Sequence, residues 1–139
     1  MGNRRNQHFV IENQIGELSD MAGKIEKLAE NWKLSPAMAM NINLVIEEAF
    51  SNIVFYAYTD KDKHKINISV SLNNKRLTIE ITDDGIPFNP LSKQPPDTTL
   101  PADERPVGGL GIYLISQIMD EMHYTRKKNR NILTLNKSI

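Results

Sequence analysis

Residues 65–85 read KINISVSLNNKRLTIEITDDG. Two runs in this stretch alternate apolar and polar residues. One is 65–72, through Ile66, Ile68, Val70 and Leu72; the other is 76–82, through Leu77, Ile79 and Ile81. A period of two marks a strand with one buried face. Asn73-Asn74 between them tolerates positive φ, which predicts a hairpin. Asp83-Asp84-Gly85 follows the second strand directly. From there to residue 107 stand six of the seven prolines: Pro87, Pro90, Pro95, Pro96, Pro101 and Pro106. Neither helix nor strand runs through such a segment. A connection of about 25 residues is a functional lid or a linker, and too little chain follows for a second domain.

Working outward, residues 36–58 carry Met38, Ile42, Val45, Ile46, Ala49, Phe50, Ile53 and Val54. That apolar stripe is wide enough to predict a helix buried on most sides. Ser35-Pro36 supplies its N-cap and first turn. Residues 14–32 predict an amphipathic helix through Ile15, Leu18, Met21, Ile25, Leu28, Ala29 and Trp32. Residues 7–12 (QHFVIE) read as a short strand. GGLG at 108–111 opens a helix over about 110–121, and 121–126 with 131–137 form a closing hairpin around KKNRN. The order β-α-α-β-β-lid-α-β-β predicts the α+β class. It is a two-layer α/β sandwich with helices on one face of a mixed, mostly antiparallel sheet, in a single domain over residues 1–139.

Seventeen Lys and Arg balance seventeen Asp and Glu, so no basic excess points to direct nucleic-acid contact or an anionic membrane. The absence of Cys excludes a disulfide scaffold, a thiolate zinc site and a cysteine nucleophile. No run approaches ~18 apolar residues, and the polar start MGNRRN precedes no apolar signal core, so a cytoplasmic address is expected.

Three groups have the residue types for chemistry. Glu48 and Asn52 are four apart on the central helix, hence on one face and ~6 Å apart. Together they offer a base and an oxygen ligand for a hard metal, or simply a solvated polar stripe with Glu47 and Ser51. Asp83 and Gly85 sit at a strand end, where a carboxylate can accept from a buried amine and glycine permits close approach; Asp-Gly is equally a common turn. Gly108, Gly109 and Gly111 expose N–H groups at a helix start, a ready anion site or a hinge. Neither GxxxxGK[ST] nor GxGxxG occurs in the chain.

The order of these groups, E-x-x-x-N on a helix, D-x-G after a strand, a long lid, then G-x-G at a helix start, resembles the Bergerat-fold ATPases. This is the GHKL superfamily, and the likeness covers about residues 8–137. The chain looks most like the small stand-alone anti-sigma-factor serine/threonine kinases. Their helix pattern E-A-x-x-N-x-x-x-H-A-Y appears as Glu48-Ala49-Phe50-Ser51-Asn52-Ile53-Val54-Phe55-Tyr56-Ala57-Tyr58. Their D-x-G box followed by P-F-[DN]-P appears as Asp83-Asp84-Gly85-Ile86-Pro87-Phe88-Asn89-Pro90, and their second glycine box as Gly109-Leu110-Gly111-Ile112-Tyr113-Leu114-Ile115. Two departures stand out: Tyr56 replaces a His, and Pro87 takes the place of a second glycine.

The resemblance implies ATP and Mg²⁺ as cofactors. Asn52 would hold the metal, and Glu48 would act as general base on a serine hydroxyl or a water. Asp83 would accept from the adenine amine, and Gly85 would let the backbone approach the base. Gly108, Gly109 and Gly111 would bind the phosphates, and residues 88–107 would be the lid. Arg105 would reach the terminal phosphate, or else pair with Asp103 or Glu104. The implied partners are a sigma factor or another regulatory protein, an antagonist protein with a phosphorylatable serine, and a second copy in a homodimer. The resemblance leaves two other readings: a binding module without kinase activity, and the catalytic domain of a histidine-kinase-like system.

Overall fold

The computed structural model describes residues 4–92 and 109–139. Five strands and three helices alternate as the patterning predicts. Strand β1 (Arg4–Glu12) leads into helices α1 (Glu17–Asn31) and α2 (Pro36–Tyr56), then the hairpin β2 (Lys65–Asn73) and β3 (Arg76–Asp83). A 3-10 turn at Pro90–Ser92 closes the first described part. Helix α3 (Gly109–Ile118) and the hairpin β4 (Glu121–Lys127) and β5 (Arg130–Ser138) complete the chain.

The strands lie in the order β1-β2-β3-β5-β4. All four pairings are antiparallel, so among the described residues the sheet has none of the parallel pairing that a mixed sheet contains. Register follows the alternation. Ile68 pairs with Ile81, and Ile81 with Leu133, so one face is continuously apolar across neighbouring strands. That face meets Met21, Ile25 and Leu28 of α1, Ile42, Ile46, Phe50 and Ile53 of α2, and Ile112 and Ile115 of α3 in one buried cluster. The β4–β5 turn places Lys128 and Asn129 at φ 52° and 62°, the two positive values of a two-residue turn that matches strand twist.

Local chemistry fixes the helix ends. The Ser35 hydroxyl accepts from Met38 N at 3.1 Å, with Pro36 in the first turn. Helix α1 begins three residues later than the predicted residue 14. Asn13 is tied to His64 through N→O at 3.0 Å and by accepting His64 N at 2.9 Å. Gly16 then stands at the cap. Ile15 therefore falls outside the helix and is 41% exposed rather than part of its buried stripe. Trp32, at the C-cap of α1, is partly buried against the core.

Candidate functional site

The broad apolar surface of α2 buries Asn52, which is 6% exposed, while Glu47 one turn earlier faces solvent. The polar middle of this helix is thus not one solvated stripe. Asn52 Nδ2 is buried with no hydrogen-bond partner. That holds among the described residues, and an unpaired buried amide costs about 1–3 kcal/mol. Glu48, one turn before it, is half-buried. Burial first, and then the adjacent Glu47 carboxylate, push the Glu48 carboxyl above its usual range. A carboxylate raised in this way is a better proton acceptor near neutrality.

Helix α3 brings its first turn against this pair. A Cβ added at Gly111 would lie 2.5 Å from Glu48 Oε2 and 3.6 Å from Asn52 Nδ2. A side chain at 111 would push the Glu48 carboxylate aside, so glycine lets the start of α3, with its unsatisfied N–H groups, lie against Glu48 as it stands. Gly109 is the first residue of the helix. Gly108 and Arg105 lie outside the described residues, as does the predicted lid beyond Ser92.

Asp83 ends β3 and is 4% exposed. Its Oδ1 accepts from Gly85 N and from Asn131 Nδ2, each at 2.9 Å. Among the described residues nothing donates to Oδ2. Burial raises the Asp83 carboxyl, the hydrogen bonds from Asn131 and Gly85 draw it back down, and the balance stays above its usual value. The next carboxylate, Asp84, accepts from the Tyr58 hydroxyl at 2.8 Å. Burial and that bond push the Tyr58 phenol up. Gly85 is required by its neighbour: an added Cβ would sit 2.3 Å from the Ala57 carbonyl oxygen, to which Ile86 N donates at 2.7 Å.

A narrow cleft with about 20 Å³ of free volume opens among α2, α3, β3 and β5 beside Asn52 and Asp83, while Glu48, Gly85 and Gly111 stand outside its lining. Ala49 and Ile53 of α2, Ile81 of β3, Ile112 of α3 and Leu133 of β5 form apolar walls. Asn52, Asp83, Tyr124 and Asn131 supply the polar groups, and Phe88 and Pro90 stand at one side. Tyr56, where the resemblance expects a His, stacks on Phe88 with ring centroids 5.8 Å apart.

Residues 11–137 match the family model described as the histidine kinase-like ATPase domain. The chain belongs to the histidine kinase-like ATPase family. Over 111 residues it is 26% identical to the serine/threonine-protein kinase BtrW of Bordetella bronchiseptica, a match covering 80% of this chain and 78% of that protein. Over 97 residues it is 34% identical to the serine-protein kinase RsbW of Bacillus thuringiensis and 33% identical to that of Bacillus mycoides. Those matches cover 67% of this chain and 60% of each Bacillus protein. The chain therefore spans less than two thirds of the length of these Bacillus relatives.

In this histidine kinase-like ATPase three site residues escaped the sequence reading: Asn131, Tyr124 and Arg126. Asn131 Oδ1 accepts from Tyr124 OH at 2.5 Å and from Arg126 Nη1 at 3.2 Å. The signal was the alternation itself, which places Asn131 on the inward face of β5 with Leu133 and Leu135. An Asn in such a row has to find partners. Among the described residues no helix is long and apolar enough to cross a membrane.

Proposed function

We propose that this chain is an anti-sigma-type protein kinase that binds Mg-ATP, holds a sigma factor or another regulatory protein, and phosphorylates a serine of an antagonist protein. The observation that carries the reading is the close approach of the start of α3 to this pair, where a Cβ on Gly111 would fall 2.5 Å from Glu48 Oε2 and 3.6 Å from Asn52 Nδ2. Phosphoryl transfer asks a protein mainly for positioning and charge stabilisation, and this contact assembles a helix start, a carbonyl-bearing side chain and a raised carboxylate in one place.

The residues divide the work along the cleft. Asp83 accepts from the adenine amine through Oδ2, with the ring between the apolar walls. The N–H groups of Gly108, Gly109 and Gly111 take the phosphates, and Arg105 reaches the terminal one. The site suits Mg²⁺. A carboxamide turned by half a revolution presents its oxygen, and among the described residues Asn52 Nδ2 is the buried side-chain atom without a partner. Among the described residues no three His, Cys, Asp or Glu side chains gather to hold a metal alone. Asn52 would thus hold the ion, and phosphate oxygens and water would fill its remaining positions. When bound, the ion would offset phosphate charge. Glu48 would accept the proton of the serine hydroxyl as that oxygen bonds to the γ-phosphorus and the β–γ bridging P–O bond breaks, releasing ADP.

The relatives' names support a serine as acceptor. The cytoplasm is the proposed site of action, where ATP is available. A homodimer would form through β1 and α1, where a groove lined by Gln7, Phe9, Lys24 and Leu28 runs along the edge of the sheet.

Glu48→Gln tests the reading. The variant is expected to bind ATP with near wild-type affinity in calorimetry and to transfer no radiolabelled phosphate to the antagonist serine. Transfer at the wild-type rate would remove Glu48 from the mechanism. No transfer by the wild type would leave a partner-holding module.

A further inference from the structure

Asp83 and Asn131 face each other across the β3–β5 ladder, and both are 4% exposed. Every hydrogen-bonding position of the Asn131 amide is used. Nδ2 donates to Asp83 Oδ1 at 2.9 Å and to Ile86 O at 2.7 Å. Oδ1 accepts from Tyr124 OH, Arg126 Nη1 and Phe88 N. The sense of the amide is therefore fixed. Reversing it would aim an NH₂ at a guanidinium and a backbone N–H, neither of which can accept, and an oxygen at a carboxylate and a carbonyl. Arg126 also donates to Gly85 O at 2.7 Å, so the same clamp holds the loop that follows Asp83.

We infer that Asn131, oriented by Tyr124 and Arg126, is the positioning residue for base recognition. By occupying Asp83 Oδ1 it leaves Oδ2 as the acceptor that selects a purine bearing an exocyclic amine. The inference rests on the nucleotide-binding reading of the cleft and adds the source of its base selectivity. Asp83 is useful as an acceptor only while ionised and held in one rotamer. A buried carboxylate without donors protonates or turns to find them. Asn131 supplies one donor and Gly85 N the other. The charged groups bearing on Asp83 are Asp84, which favours protonation, and Arg126, which opposes it.

The test compares ATP with purine riboside triphosphate, which lacks the amine, by calorimetry across a pH series. Wild type is expected to prefer ATP by about tenfold or more, the worth of one hydrogen bond to a charged acceptor. Asn131→Leu should bring the ratio close to one and move the acid limb of ATP binding to higher pH, with binding of the amine-free nucleotide largely retained. Should Asn131→Leu fail to fold, the double variant Tyr124→Phe, Arg126→Met leaves Oδ1 with the Phe88 N–H as its donor. That variant should lower the ratio at least threefold. A ratio and acid limb unchanged in the folded variants would make the clamp a scaffold and overturn the inference alone. Wild type that binds both equally would also overturn the inference alone, and wild type that binds neither would overturn the reading beneath it as well.

Discussion

Gly85→Ala is expected to destabilise the protein strongly, for a reason visible in one contact. The new Cβ would stand 2.3 Å from Ala57 O, 2.7 Å from Ala57 Cβ and 2.9 Å from Ala57 C. Two of these atoms are backbone, fixed at the end of α2, so no side chain can swing aside. The backbone at Gly85 is not in the left-handed region, so the cost is one of space and not of conformation. Overpacking of this kind costs about 1–3 kcal/mol. Separating the two segments also lengthens the 2.7 Å bond from Ile86 N to Ala57 O, adding about 0.5–1.5 kcal/mol. Together these give about 1.5–4.5 kcal/mol, and for a chain of this size about 5–18 °C in Tm. Thermal melting followed by circular dichroism measures it, with Gly23→Ala as the internal control. Gly23 is exposed on α1 and a Cβ there meets nothing within 4 Å, so that variant should gain about 0.5–1 kcal/mol from helix propensity. A Gly85→Ala protein melting within about 2 °C of wild type would refute the packing argument.

Two further outcomes follow from the same geometry. In Gly111→Ala the clash is with Glu48 Oε2, the free end of a side chain, so Tm should move by less than about 3 °C. The displaced carboxylate should slow phosphoryl transfer on the order of 10²-fold, and wild-type transfer would contradict the placement of Glu48. His64 Nε2 donates to Asp60 Oδ1 at 2.7 Å, and its Nδ1 lies 3.5 Å from Asp84. The pairing with Asp60, and the charges of Asp60 and Asp84, raise its imidazole above the ordinary 6.5 against an opposing contribution from burial. A raised folded value gives stability that is fully present below the unfolded value and lost as pH climbs through the folded one. Wild type should therefore lose Tm relative to His64→Gln as pH rises from the ordinary imidazole value through the raised folded one; parallel melting curves across that rise would refute it.

The alternating runs at 65–72 and 76–82 placed β2 and β3 within a residue of where they lie, because half-buried strands carry their register in sequence. Glu48, Asn52, Asp83 and Gly85 were legible as residue types at informative spacings. The meeting of Asn52 and Asp83 in one cleft with Asn131 was not derivable from spacing. It depends on β5 lying between β3 and β4, an arrangement that no local pattern encodes. The same holds for Asn131, which pairs with Asp83 from 48 positions away and looked from sequence like the first residue of an ordinary strand. The start of α1 was misplaced because the Asn13–His64 tie, a contact across 51 positions, competes with helix propagation. Local periodicity thus revealed the elements, and long-range polar pairing decided the site.

Calorimetric titration with ATP, with and without Mg²⁺, on wild type and on Asn52→Ala bears most directly on the central claim. Wild type should bind ATP with an affinity that rises when Mg²⁺ is present, and Asn52→Ala should lose that dependence while remaining folded. Equal Mg²⁺-dependent binding by both proteins, or no binding by wild type, would contradict the assignment of the Asn52–Glu48–Gly111 corner to the nucleotide's phosphates.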